Sequence, residues 1–134
     1  MALVHKYTLV CDEIRREDNG KFIVIGLYTP GITFPQFPAQ LVKLIFFSCF
    51  EPTTTGTWDL DFRLTHLATG AIAGPTGRVH LEVPVLGGFA YVPIQIPNVN
   101  FQMPGDYAFV LTGGNFDGVT EQIPVTQPPA FPVH

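Results

Sequence analysis

The sequence predicts an all-β protein, a single-domain antiparallel β-sandwich of about eight strands that is immunoglobulin-like or C2-like. Residues 41–50 are apolar at both odd and even positions, which is typical of a central strand covered on two faces. Glycine and proline divide the rest of the chain into short apolar or alternating segments, and no stretch shows the period of a helix. We therefore expect a sandwich over residues 1–126 and a proline-rich tail over residues 127–134.

Composition and charge limit the classes of partner. The chain has 134 residues, of which 13% are charged, against about 25% in an average soluble domain. Its net charge is -4 and its seven basic residues are scattered, so it lacks the basic stripe of a nucleic-acid binder. The apolar run at residues 41–50 is shorter than the roughly 20 residues of a helix that crosses a bilayer. We expect no nucleic acid, no membrane and no cofactor.

The N-terminus and the cysteines indicate a compartment. The first residues show no basic segment followed by an apolar stretch and a cleavage site, so we expect a cytoplasmic protein. Cys11 and Cys49 fall in separate strand patterns and form no Cys-x-x-Cys pair. An inter-sheet disulfide would fit a sandwich, but the expected compartment favours two reduced, buried thiols.

The first half of the chain is divided into three predicted strands. The first covers residues 3–14, and Asn19-Gly20 predicts a two-residue hairpin turn into a second strand at residues 22–28. The proline-rich residues 30–38 predict a long extended connection that crosses from one sheet to the other. This connection joins the second strand, which is apolar on both faces and is expected to be central, to the central strand at residues 41–50.

The second half predicts further short strands. Residues 57–65 alternate between apolar and polar side chains, as expected of a half-buried strand. Prolines at positions 84, 93 and 97 place the segments 78–83 and 89–96 at a sheet edge or a bulge. A last strand covers residues 119–125.

A tyrosine corner is predicted before the penultimate strand. Tyr107 follows Pro104-Gly105, as in many immunoglobulin-like sandwiches, where the hydroxyl bonds back to the preceding loop. Phe109 stands where antibody domains carry a cysteine, so the likeness concerns architecture alone. Tyr107 and Phe109 are therefore predicted to be structural residues.

The reactive residue types show no pattern typical of catalysis or metal binding. The four histidines, His5, His66, His80 and His134, lack metal-ligand spacing, although His66 and His80 could approach each other if their strands pair. Ser48 lies in the most apolar strand without a Gly-x-Ser-x-Gly elbow, which favours buried packing. We predict no catalytic, cofactor-binding or metal site.

Charged residues are dense at one place only. Asp12, Glu13, Arg15 and Arg16 form a cluster before the predicted hairpin turn, and they are the first candidates for a polar contact site. Asp59 and Asp61 share one face of a strand beside Arg63. This spacing favours a solvated face with a cross-strand ion pair over a calcium site.

Three segments together resemble a known group of proteins. These are residues 7–21, which read YTLVCDEIRREDNGK, Ile25-Gly26-Leu27-Tyr28, and Pro104-Gly105-Asp106-Tyr107. They resemble a group of short uncharacterised bacterial proteins that carry a domain of unknown function. The resemblance is strongest over the first fifty residues, and it implies a bacterial, cytosolic β-sandwich without transferring an active site.

Three classes of function fit these features. The leading hypothesis is a non-enzymatic binding or assembly module, a self-associating subunit of a bacterial complex whose partner is a protein or a second copy. The alternatives are a virion or fibre protein, and a small enzyme or enzyme accessory with a pocket between the sheets. Low surface charge favours an interface, and Pro128, Pro129 and Phe131 of the tail are candidate assembly contacts.

Overall fold

The computed structural model describes residues 3–29, 31–113 and 116–128, and over these residues the chain forms nine strands and no helix. The strands are β1 (Leu3–Arg16), β2 (Phe22–Leu27), β3 (Ile32–Thr33), β4 (Ala39–Pro52), β5 (Gly56–His66), β6 (Gly77–Val83), β7 (Ala90–Phe101), β8 (Gly105–Gly113) and β9 (Phe116–Thr126).

The strands form two sheets, which confirms the predicted sandwich. The first sheet has the order β2-β1-β4-β7 and the second has the order β3-β9-β8-β5-β6. All pairs are antiparallel except β3 with β9, which is parallel. The strand beyond the predicted eight is β3, two residues long, within the connection that was expected to carry no strand.

The core lies between the two sheets, where alternate side chains of each strand meet. Phe46 of β4 stacks on Phe109 of β8 with ring centroids 4.0 Å apart. The other fully buried large side chains are Tyr107, Phe50, Phe101, Leu3, Leu44, Leu60, Leu64, Ile94, Ile96 and Leu111. Leu60 and Leu64 belong to the alternating segment predicted at residues 57–65, so the half-buried strand expected there is confirmed.

Two expectations about the edges of the first sheet have different outcomes. β4 lies between β1 and β7, so the predicted central strand is confirmed. β7 is an outermost strand and carries Pro93 and Pro97, as the proline rule requires. In contrast, β2 is not a central strand: it pairs with β1 alone and lies at the other edge.

The connection between β2 and β4 crosses to the second sheet, but it also returns. It contributes β3, whose Ile32 and Thr33 pair with the end of β9, before the chain rejoins the first sheet at β4. The prediction that the chain changes sheets between the strands on either side of this connection is therefore wrong. The prolines break the strand pattern and indicate a crossing, but they do not fix where the chain goes next.

The hairpin between β1 and β2 is confirmed, but its turn is longer than predicted. Glu17 N donates to Lys21 O at 2.8 Å, and Gly20 N donates to Glu17 O at 3.0 Å. This pattern encloses a three-residue loop in which Gly20, at a φ of 85°, takes the left-handed position. Asn19 is not in that conformation, so the two-residue turn is wrong, and Asn19 Oδ1 instead accepts from Lys21 N.

The tyrosine corner is confirmed. The Tyr107 hydroxyl donates to the Met103 carbonyl at 2.7 Å, and only 2% of the residue is exposed. Burial raises the pKa of Tyr107. The ring also packs edge-on against Phe101 at 5.0 Å, so the residue ties the loop between β7 and β8 to the core.

We expect Tyr107→Phe to lower the free energy of unfolding by about 1 to 3 kcal/mol, because the Met103 carbonyl loses its buried partner. Tyr107→Ala also empties core volume and should cost about 3 to 5 kcal/mol, by analogy with truncation of phenylalanine. Urea unfolding measures both. Equal stability of the wild type and Tyr107→Phe would refute the role of the hydroxyl and leave the packing role intact.

Candidate functional site

The hairpin formed by the end of β1 and by β2 leaves the plane of its sheet. β1 pairs with β4 only up to Cys11, and from Cys11 onward it pairs with β2. In a flat sheet, β2 would lie about 10 Å from β4 and about 14 Å from β7. Instead, the Phe22 ring centroid lies 5.0 Å from that of Phe47 on β4 and 5.8 Å from that of Tyr91 on β7. The hairpin therefore folds over the outer face of the first sheet.

This folded hairpin explains an unusual burial pattern in β4. The core takes its even positions, yet Ile45, Phe47 and Cys49 on the opposite face are also buried, with 5%, 3% and 1% of each residue exposed. Phe47 stacks on Tyr91 at 5.4 Å and meets Phe22 from above. The hairpin and the neighbouring tyrosine thus supply the second cover that the sequence predicts for β4.

A glycine marks the point where the hairpin bends. Gly26 has a φ of 69°, and its side-chain position is filled by the Asp12 carboxylate, so a Cβ there would collide. Cys11 pairs with Leu27 and Glu13 pairs with Ile25, whereas Asp12 and Gly26 between them form no ladder pair. Before the bend, the odd-numbered Cys11 of β1 lies on the outer face of the first sheet, beside Ile45. After the bend, the side chain that points toward this sheet is Phe22, which is paired with the even-numbered Arg16 of β1. The bend therefore exchanges the two faces of the ribbon.

The solvent face of β2 is apolar, whereas its partners across the hairpin, Glu13 opposite Ile25 and Arg15 opposite Ile23, are charged. Ile23 and Ile25 of β2 are 40% and 38% exposed, although both are large aliphatic residues. β2 carries no charged residue and no proline along its length. It therefore combines an exposed apolar face with an unprotected strand edge.

The other outermost strands of the sandwich are protected from pairing. β7 carries Pro93 and Pro97, which cannot donate to a ladder. β6 carries three ionisable side chains, Arg78, His80 and Glu82, and β3 is only two residues long. Short length, charge and proline are the usual devices that prevent edge association. β2 uses none of them within its own span.

The outward backbone groups of β2 can be assigned from the turn. Glu17 and Lys21 form a hydrogen-bonded position, and antiparallel pairs alternate, so Ile23 and Ile25 bond to β1. The N–H and C=O groups of Phe22 and Val24 then point away from β1. No described strand lies on that side of β2.

The predicted polar cluster does not converge on one point. Asp12 accepts a 2.5 Å hydrogen bond from the Tyr28 hydroxyl, and burial together with this carboxylate raises the pKa of Tyr28 to about 12. Glu13 pairs with Arg15 at 3.5 Å and with Lys43 at 3.6 Å. The Arg16 guanidinium lies 5.6 Å from the centroid of the Phe22 ring. These contacts hold the hairpin, and a polar contact role stays a prediction.

Ser48 lies in a buried hydrogen-bonded chain. Its hydroxyl lies 2.9 Å from that of Thr8, its direct cross-strand neighbour, and the Thr8 hydroxyl lies 2.8 Å from His5 Nε2. Ser48 is fully buried, so a substrate cannot reach it. Burial lowers the pKa of His5, although the nearby Glu121 acts in the opposite direction. The expectation of buried packing for Ser48 is confirmed.

The histidines named in the sequence do not form a metal site in the described part of the chain. His66 is opposite Tyr107 in register, whereas His80 is opposite Asp59, so the two do not meet. Among the residues that the structure describes, no group of three or more potential ligands comes together. His134 lies outside these residues, as do Pro129 and Phe131, while Pro128 is described and exposed.

The outer face of β5 and β6 carries the predicted cross-strand ion pair. Arg78 of β6 donates to Asp61 of β5 at 2.8 Å. His80 lies 2.8 Å from Asp59 through Nδ1 and 3.2 Å from Glu82 through Nε2. Both ring nitrogens can donate only when the imidazole is protonated. The hydrogen bond to Asp59, followed by that to Glu82, raises the pKa of His80.

We expect His80 to titrate above the ordinary histidine value of about 6.5, because both carboxylates favour the charged ring. Asp59→Asn should lower this pKa, whereas Asp61→Asn, which removes a carboxylate bonded to Arg78 instead, should leave it nearly unchanged. NMR of the imidazole protons across a pH series measures all three. A His80 pKa at or below the ordinary value would contradict the bonded geometry.

The two cysteines are free and buried, as predicted. Burial, followed by the charge of Asp12, raises the pKa of Cys11, which lowers its thiolate fraction. We expect a thiol reagent to react slowly with the native protein and to titrate two thiols after unfolding. Rapid reaction of either native thiol would show that the outer face of β4 is open, and fewer than two thiols in protein kept from air would contradict the reduced state.

Within the part of the chain that the structure describes, no helix could span a membrane.

Comparison with known proteins assigns the chain to a family. The profile of a family described as "Family of unknown function (DUF6941)" matches residues 6–126, so the chain belongs to this family. A search of curated proteins finds no match to the chain. The match begins within β1 and ends with β9, and it includes the folded hairpin and the tyrosine corner.

Proposed function

We propose that this member of the DUF6941 family is a non-enzymatic assembly module, which self-associates through the edge of β2. The observation that carries the proposal is the combination of an exposed apolar face with an unprotected edge on one strand. A strand of this kind is a template for pairing with another chain. The low charge of the chain, 13% of residues, is consistent with a surface kept for an interface.

The sequence of β2 suits a second copy of itself. If a two-fold axis passes through Val24, antiparallel pairing places Ile23 opposite Ile25 of the second copy, and Val24 opposite its own copy. The outward N–H and C=O groups of the two Val24 residues then bond to each other. No like charges meet, because β2 carries none. The folded hairpins of two copies would join into one four-stranded layer.

The finer expectations about architecture and setting belong to this proposal. The neighbouring strands β9, β8 and β5, with the corner tyrosine on β8, support an immunoglobulin-like arrangement. Two free, buried thiols support a reducing cytoplasm. The bacterial origin rests on the sequence resemblance alone.

Light scattering at several protein concentrations tests the proposal. We expect the wild type to dimerise and Val24→Pro to weaken the dimer at least about tenfold, which corresponds to about 1.4 kcal/mol. Proline removes the N–H that points away from β1, so the pairing within the hairpin survives. Val24→Ala is the matched control and should dimerise more strongly than Val24→Pro.

A second pair of variants tests the apolar face. Ile25→Lys places a charge in the contact and should dissociate the dimer, whereas Val42→Lys alters a residue that is 83% exposed on β4 and should not. A chain ending at Thr126 should still dimerise, because the contact lies on the hairpin. A wild type that is monomeric at high micromolar concentration would defeat the proposal, and dissociation after the truncation would assign the contact to the tail instead.

A further inference from the structure

A cleft of about 360 Å³ opens on the side of the sandwich, between β1 and β9. Its walls come from both sheets and from the connection that follows β2, and the lining residues are Thr8, Leu9, Val10, Leu27, Tyr28, Thr29, Gly31, Glu121, Gln122, Ile123 and Pro124. Within the described residues, no backbone pairing joins β1 to β9, so the two sheets remain open to each other on this side. The cleft does not include Ile23 or Ile25, and the inference is independent of the proposed dimer.

The β1 wall presents free backbone groups. Tyr28 N donates to Val10 O at 2.8 Å, so the Val10 carbonyl points away from β4. Pairing with β4 is regular from Tyr7 to Cys11, and backbone direction alternates along a strand, so the N–H and C=O of Thr8 also point away from β4. β2 pairs with β1 only from Cys11 onward. The Thr8 backbone therefore faces the cleft without a strand partner among the described residues.

The β9 wall also presents backbone N–H and C=O groups to the cleft. Phe34 N donates to Thr126 O at 2.9 Å, so the Thr126 carbonyl points away from β8. Backbone direction alternates along a regularly paired strand, so the backbone groups of Pro124 and Gln122 also point away from β8. Pro124 supports this assignment. A proline has no N–H, so it fits a position whose backbone does not donate to β8. Among the described residues, β3 pairs with β9 at Val125 and Thr126 alone, so the Gln122 N–H and C=O face the cleft.

We infer that this cleft binds an extended segment of a partner protein as an added strand. Only an extended backbone presents donors and acceptors on both of its edges, as the two walls require. At a rise of 3.3 Å, a strand spacing of 4.8 Å and a sheet spacing of 10 Å, one residue of a strand takes roughly 160 Å³. The cleft thus holds about two to three residues, and the segment continues into solvent at its open end.

The lining specifies the chemistry of this segment. Glu121 is the only charged residue among those that line the cleft, so a lysine or arginine of the segment would pair with it. Leu27 and Ile123 favour uncharged, aliphatic side chains at neighbouring positions. The proline-rich tail of this chain is a poor occupant, because prolines at 128, 129 and 132 have no N–H to offer.

Two short peptides test the inference, Thr-Val-Lys-Val-Thr and the same sequence with glutamate in place of lysine, both capped at their ends. We expect the lysine peptide to shift the amide signals of Thr8 and Gln122 saturably in NMR spectra and to bind more tightly than the glutamate peptide. Gln122→Pro removes the inward N–H and, like Pro124, spares the pairing with β8. It should weaken binding at least about tenfold, whereas Gln122→Ala should bind as the wild type does.

The outcomes separate the alternatives. Shifts that are absent with both peptides, or that lie outside the cleft, overturn the inference, as does equal binding by Gln122→Pro and Gln122→Ala. If Gln122→Pro does not fold, Glu121→Gln serves in its place, because it should abolish the preference for lysine. A preference that persists in Glu121→Gln would likewise overturn the inference.

Discussion

The structure depends on one constraint, which is that β4 is apolar on both of its faces and must be covered twice. The second sheet covers the inner face, where Phe46 stacks on Phe109 at 4.0 Å. The outer face would be solvent-exposed in a sandwich of two plain sheets. The chain meets the constraint by bending its first hairpin over Phe47 and Tyr91, so a third, partial layer lies on the first sheet.

Magnitudes indicate what holds this layer in place. Burying a large aromatic side chain contributes about 1.5 to 3 kcal/mol, whereas an exposed ion pair contributes about 0 to 1 kcal/mol. The pair between Glu13 and Lys43 has both side chains 37% exposed and belongs to the weaker class. The packing of Phe22 on Phe47 and Tyr91 therefore dominates, and it leaves the opposite face of β2, with Ile23 and Ile25, toward solvent. The same bend that completes the fold thus creates the surface proposed for assembly.

Much of the fold could be predicted from the sequence, because local patterns report burial directly. The double-sided run at residues 41–50, the prolines of β7 and the corner at Tyr107 each carry a local physical signature. The position of β2 could not be predicted. A strand that is apolar on both faces has the same sequence pattern whether a sheet or another copy of the chain covers its second face. The bend itself depends on the contact between Gly26 and Asp12, which a turn motif does not encode.

The candidate sites were predicted less well than the fold. Scarce charge drew attention to Asp12, Glu13, Arg15 and Arg16, and these do lie on the hairpin that the structure singles out. Their contacts, however, lie within the hairpin or join it to β4 and Tyr28. The surface proposed for assembly is the apolar face of β2 beside them. The cleft walls at Thr8 and Gln122 cannot be predicted from the sequence, because unpaired backbone groups leave no mark on side-chain patterns.

The folded hairpin is tested most directly by nuclear Overhauser effects between aromatic rings. The ring centroids of Phe22 lie 5.0 Å from Phe47 and 5.8 Å from Tyr91, so cross-peaks from Phe22 to both rings are expected. A hairpin that continued in the plane of the sheet would place Phe22 beyond reach of Tyr91. Absence of both cross-peaks in an otherwise assigned spectrum would contradict the double covering of β4.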